Sequence, residues 1–270
     1  MIIDFRCRIP TPEFNVVYER HEVTYFDRFN FQKPSSMTLD MFFKSLEEAG
    51  IDKVVSPARD LESTRGLKVP LEHIAEMQKT YPDKIIGFGG VDCLKGWQAA
   101  KDVEKAAELG LKGVMIDPGM NQVISNDKRL YPIYAKCQEL KMPVIITCGP
   151  GDPRWSQVTP VGEVADDFPE LTLIVSHTWP RIMDAIALSY KYPNFFFEVS
   201  GYFTWPSCDL LIDALNHRLI DNHLLFGSAF PYSPDLKRIV ERFKKFFETV
   251  RHPEVMEKVF HGNAERILGL

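Results

Sequence analysis

Arg6 and Arg8 stand two residues apart in the opening run MIIDFRCR, a spacing that puts both guanidiniums on the same face of a strand. A guanidinium is planar, permanently charged and able to hold a carboxylate or phosphate through two parallel hydrogen bonds. Burying one without an anion is costly. Arg6, Arg8 and Arg59 therefore point to one of two arrangements: an internal ion network with Asp4, Asp117 or Glu198, or a clamp on an anionic substrate. The acids close to these positions are too few to neutralise three arginines, which favours the clamp.

His177 closes the run LTLIVSH and is the one histidine at the end of a strand-like run, so it is the expected general acid or base; the plainer alternative is a histidine tied into the core. Asp117 ends KGVMID before Pro118 and Gly119 and suits a base, an arginine partner or a loop cap. Cys148 ends MPVIITC beside those arginines. A lowered thiol pKa would make it a nucleophile with His177 as its base, although free cysteines more often only pack. Cys7, between Arg6 and Arg8, is expected to face outward into the core. Thr147, Trp179, Ser228 and Tyr232 end or follow such runs and are expected to line the substrate pocket, with Trp155, Tyr202 and Trp205 as aromatic walls for a flat substrate. His21 has a lesser catalytic claim, and His73, His217, His223, His252 and His261 fall on helices or at the opposite end, where stabilising or surface roles dominate.

Positioning these groups requires a scaffold that gathers strand ends. Eight β-rich runs recur, at 1–8, 53–58, 84–91, 112–117, 142–148, 171–177, 194–200 and 223–228, most of them continuously apolar, as in parallel strands covered on both faces. Helical patterns lie between them, at 38–49, 70–80, 97–109, 130–141, 161–168, 180–192, 206–220 and 235–249. Eight strand–helix units predict an α/β chain folded as a single-domain (β/α)8 TIM barrel spanning 1–270, with its active site at the C-terminal strand ends. Residues 9–37, with Pro10, Pro12, Pro34 and the aromatics Tyr18, Tyr25, Phe26, Phe29 and Phe31, read as a long ordered loop, either a lid over the mouth or a subunit contact.

Composition excludes other classes. The 270 residues are 45% hydrophobic and 26% charged, with a net charge of −5 from 32 basic and 37 acidic residues. That is a globular chain with no basic footprint for nucleic acid or an anionic membrane. Five cysteines without a CxxC pair fit a reducing compartment, and no export signal or membrane span is visible, so the cytoplasm is the expected location.

MIIDFRCRIP, MPVIITCG, LTLIVSHTWP, LLFGSAFP and FHGNAERILGL resemble, in order and spacing, the landmarks of the amidohydrolase-related barrels, in the branch of aminocarboxymuconate semialdehyde decarboxylase. In that family the first strand reads Asp-x-His-x-His, the fifth strand ends in a histidine and the eighth carries Gly-Ser-Asp-x-Pro. The corresponding positions here are Arg6 and Arg8, Thr147, and Ala229, while His177 keeps the sixth-strand histidine. The resemblance thus implies the fold but a lost divalent-metal site, since such an ion needs about three protein ligands. A rearranged site of Cys148, His177 and Asp117 is the less favoured alternative.

A metal-independent hydrolase of a lactone or C–N bond in a small carboxylate follows as the first expectation, without cofactor. The arginines would stabilise a developing oxyanion, and His177 or Asp117 would activate water. The alternatives are a lyase that decarboxylates a small aromatic-derived carboxylate and a non-catalytic barrel binding a small anion or a homologous subunit. The family resemblance also implies a homodimer.

Overall fold

Eight strands pair in sequence order, all in parallel: β1 (Ile3–Asp4), β2 (Lys53–Pro57), β3 (Ile85–Gly90), β4 (Gly113–Ile116), β5 (Val144–Thr147), β6 (Leu173–Ser176), β7 (Phe195–Glu198) and β8 (Leu224–Leu225); Asp60–Leu61 and Leu67–Lys68 form a separate antiparallel pair. The two ends of this eight-stranded sheet meet. The Phe5 N–H donates to the Phe226 carbonyl at 2.8 Å, the Ala229 N–H donates to the Arg6 carbonyl at 3.0 Å, and Cys7 and Phe230 form a parallel bridge. Closure abolishes the sheet edges and makes the chain a (β/α)8 barrel. This computed structural model describes residues 1–29, 33–149, 152–178, 180–200, 208–232 and 235–270, and of residues 21–29 and 208 the backbone alone. No described helix is long and apolar enough to cross a membrane.

Each of the eight predicted runs contains one of these strands, and each predicted helical segment contains a helix. One expectation is corrected. The segment read as a loop over 9–37 carries an 18-residue helix, α1 (Pro12–Phe29). Phe14, Val17 and Tyr18, spaced three and four apart, are buried by it, so tertiary packing overrides a composition rich in β-branched and aromatic residues. His21, Tyr25, Phe26 and Phe29 have side chains outside the described set, and Phe31 lies outside the described residues, so the lid and subunit-contact readings fall on residues outside those described.

Side-chain alternation along the strands produces two separate apolar layers. Ile3, Phe5, Val55, Ile86, Phe88, Met115, Ile145, Ile174, Phe196 and Leu225 fill the barrel interior. Val54, Val114, Val144, Ile146, Val175, Phe195 and Phe197 point the other way, into the larger core between sheet and helices. Cys7 belongs to this outer core, as expected.

The same period-two register places the candidate site. Two residues beyond Met115, Ile145, Ile174 and Phe196, on the same face of their strands, stand Asp117, Thr147, Ser176 and Glu198. A polar layer therefore lies directly on the apolar filling, at the C-terminal end of the barrel. On β1 the chain bends at Phe5 and Arg6, so that Arg6 also joins this layer.

Candidate active site

Arg6 and Arg8 are completely buried, at 0% and 1% exposure. Arg6 reaches across the barrel, where its Nη1 approaches the Met115 Sδ at 3.4 Å and its Nη2 approaches the Thr147 Oγ1 at 3.5 Å. Arg8 donates through Nη1 to the Phe230 carbonyl at 3.4 Å, and its Cζ lies 4.8 Å from the Tyr18 ring centroid and 5.2 Å from that of Tyr232. Arg6 Nε and Arg8 Nε and Nη2 are buried without a hydrogen-bond partner. Among the described residues no carboxylate forms an ion pair with either.

Arg59 differs. Its Nε donates to Asp117 Oδ2 in a buried ion pair, and its Cζ lies 4.8 Å from the Tyr18 ring, so one tyrosine of α1 lies against both Arg8 and Arg59. Burial alone would raise the Asp117 pKa, but Arg59 and then Arg6 outweigh it and hold the carboxyl below its ordinary range. Asp117 is thereby a weak base and an arginine partner. Arg59, expected in the anion clamp, already has its carboxylate.

His177 and Glu198 form the third part of the layer. The His177 Nδ1 lies 3.0 Å from Ser200 Oγ, 3.4 Å from the Ser200 carbonyl and 4.0 Å from Glu198 Oε1. The carbonyl can only accept, so a proton on Nδ1 suits it, while the closer Ser200 hydroxyl suits either tautomer. Burial, followed by Arg6 and Arg8, pushes the imidazole well below its usual pKa and keeps it neutral. Glu198 Oε2 accepts from the Ser200 N–H at 2.5 Å, whereas Oε1 is buried without a hydrogen-bond partner. Burial raises the Glu198 pKa, and Arg6 offsets only part of that rise. Burial together with Arg8 lowers Arg6 to about 10.

Two glycines make this packing possible. A Cβ on Gly149 would lie 2.0 Å from the His177 carbonyl, and one on Gly227 would lie 2.9 Å from Glu198 Oε2 and 3.1 Å from the Arg6 Cβ. His177 itself has a φ of 59°, an uncommon left-handed conformation for a residue other than glycine.

The remaining expectations separate clearly. Cys148 is buried and its Sγ–H donates to the Gln157 carbonyl at 3.2 Å; burial pushes the thiol up to about 12. That reverses the expected lowering, because the thiol packs among apolar groups away from Arg6 and Arg8, and it removes the nucleophile. Ser228 is buried in the barrel seam, where its N–H donates to Asp4 Oδ1 at 2.9 Å and its Oγ accepts from the Phe230 N–H at 2.9 Å, so it serves closure rather than a pocket wall. Thr147 meets Arg6, and the Tyr232 ring flanks Arg8. Trp179, Tyr202 and Trp205 lie outside the described residues. Tyr18 enters the site from the segment read in the sequence as a lid or a subunit contact, and Glu198, weighed there as an arginine partner, lies beside His177 and Ser200; its place two residues past an interior phenylalanine was the signal.

A closed barrel with a polar layer of buried arginines, carboxyls and a neutral histidine at the C-terminal strand ends defines a (β/α)8 protein of the kind that works at its mouth. The chain belongs to the amidohydrolase family, whose profile, described as amidohydrolase, matches residues 27–270. No curated protein matches it. Among solved structures, an uncharacterized TIM-barrel protein from Bordetella bronchiseptica is 30% identical, with a TM-score of 0.85 over 99% of this chain and 98% of that one. A dihydroxybenzoic acid decarboxylase from Polaromonas sp. JS666, solved with manganese and 2-nitroresorcinol, is 17% identical, with a TM-score of 0.73 over 100% and 97% of the two chains. The 5-carboxyvanillate decarboxylase of Sphingomonas paucimobilis is 16% identical, with a TM-score of 0.71 over 100% and 99%.

The residues of this chain do not fit the divalent ion that the resemblance implies. Two buried guanidiniums, Arg6 and Arg8, stand at the first-strand positions, and among the described residues no three His, Cys, Asp or Glu side chains gather to hold a metal.

Proposed function

We propose that the protein is a metal-independent lyase that decarboxylates a small aromatic-derived carboxylate bound at Arg6 and Arg8. The observation that carries this reading is the pair of buried guanidiniums lacking carboxylate partners among the described residues. Such charges call for an anion, and a small substrate supplies it. The fold likeness to decarboxylases of aromatic carboxylates supports the reaction class.

The chemistry divides among residues of one layer. One of the arginines holds an anionic ring substituent, such as a phenolate oxygen. As its electron pair moves into the ring, Glu198, whose protonated form burial favours, gives its proton to the ring carbon that bears the reacting carboxylate. The carbon–carbon bond then breaks, its electron pair restores the aromatic ring and the phenolate, and carbon dioxide leaves. Glu198 regains a proton from solvent, so each turnover consumes one proton. Neutral His177, fixed by Ser200, orients the substrate beside Glu198.

Hydrolysis, the first expectation from sequence, is the second reading. The observation in its favour is an imidazole held neutral at the C-terminal strand ends, a group of the type that accepts a proton from water. Incubating protein treated with a chelator with 2,6-dihydroxybenzoate, 5-carboxyvanillate and a panel of lactone carboxylates separates the two. Chelator-resistant release of carbon dioxide is expected. Ring opening of a lactone without such release would establish hydrolysis, and activity that appears only on adding manganese would contradict the metal-independent reading.

A further inference from the structure

Arg6 and Arg8 leave the same strand yet end in different parts of the mouth. The partners of Arg6 are Met115 and Thr147, on or beside β4 and β5. In an eight-stranded barrel with strands in sequence order these lie opposite β1. The partners of Arg8 are the Phe230 carbonyl and the ring of Tyr232, just beyond β8 and next to β1, with Tyr18 of α1. One guanidinium crosses the barrel while the other stays on its own side.

Divergent heads cannot grip one carboxylate side by side. Each is fully buried, and each retains at least one buried N–H without a partner: Nε on Arg6, Nε and Nη2 on Arg8. The third arginine is already neutralised by Asp117. Two positive charges in two places are therefore left to be matched, and two separate anionic groups match them.

We propose that the mouth contains two distinct anion subsites, one at Arg6 with Thr147 and one at Arg8 between Tyr18 and Tyr232, and so selects a substrate with two acidic groups on one ring-sized frame. The Arg8 subsite has two aromatic rings beside the guanidinium, at 4.8 and 5.2 Å, which suits an acid group attached directly to a flat ring. The Arg6 subsite offers a hydroxyl and a thioether, so the second acid group there is held by the guanidinium itself. The inference rests on the carboxylate-binding reading above and narrows it from one acidic group to two.

Binding of benzoate and of its three dicarboxylate counterparts, phthalate, isophthalate and terephthalate, to the full-length protein tests it by calorimetry. At least one dicarboxylate is expected to bind tenfold or more tightly than benzoate. Arg6→Met and Arg8→Met are each expected to bring that dicarboxylate down to the benzoate level. Equal binding of benzoate and all three dicarboxylates by the unaltered protein would overturn the two-subsite inference alone, and this comparison needs no variant to fold. Failure of all four probes to bind would contradict the carboxylate reading itself, and this inference with it.

Discussion

The two sides of the barrel mouth treat buried charge in opposite ways. On the β2–β4 side Arg59 is matched by Asp117, and the pair is neutral as a unit. In the rest of the mouth, Arg6 and Arg8 have no carboxylate partner among the described residues, Glu198 is pushed toward its protonated form by burial, and His177 is pushed toward its neutral form by burial and by these arginines. Both sides stand on the same apolar filling, so the difference lies in their partners and not in depth. The paired side acts as a brace, and the unpaired arginines carry the proposed anion site.

Asp117→Asn should have the largest effect, because it removes the carboxylate that meets the Arg59 Nε in the buried ion pair. Urea unfolding is expected to show a loss of about 3–5 kcal/mol, and a loss below about 1 kcal/mol would show that the brace is not ionic. On the unpaired side Glu198→Gln should lower kcat about 10²–10⁴-fold while retaining or raising stability at neutral pH. The direction follows from the raised pKa: ionising the native carboxyl is harder than ionising the unfolded one, so this group weakens the fold as pH rises above its unfolded value. In the unaltered enzyme kcat should fall as pH rises through the elevated Glu198 pKa. Steady-state rates across pH check both statements.

Arg6→Met should stabilise the protein, by about 1–4 kcal/mol if relief of an uncompensated buried charge resembles replacement of buried ion pairs by apolar groups. The contrast with Asp117→Asn, where removing a charge destabilises, is the sharpest form of the comparison. The smallest effect concerns His177. Its native pKa is depressed, so the unfolded chain binds the extra proton first, and stability should decline as pH falls below about 6.5, flattening in His177→Asn. Denaturation midpoints between neutral and mildly acidic pH measure it.

The architecture was legible because parallel strands buried on both faces leave nearly continuous apolar runs, and all eight could be located. Helix α1 was hidden behind its prolines and aromatics, although Phe14, Val17 and Tyr18 carried the helical spacing. Of the site, the inward pair Arg6 and Arg8 was readable from a two-residue spacing and the family register. Partner choice was not. That Asp117 belongs to Arg59, and that Glu198 approaches His177 through Ser200, depends on which strand ends face each other across the barrel, which no local pattern encodes. For Cys148, adjacency in sequence to the pocket does not fix the side to which a thiol turns; its hydrogen bond to the Gln157 carbonyl and its place in the core outside the barrel give that side.

The most direct test of an anion site made by Arg6 and Arg8 is the dissociation constant of 2,6-dihydroxybenzoate for the unaltered protein and for the double variant Arg6→Met/Arg8→Met, with folding of the variant verified by circular dichroism. The account predicts binding by the unaltered protein and a loss of affinity of at least about 100-fold in the double variant, corresponding to about 2.7 kcal/mol. Equal affinity in the two proteins would contradict it.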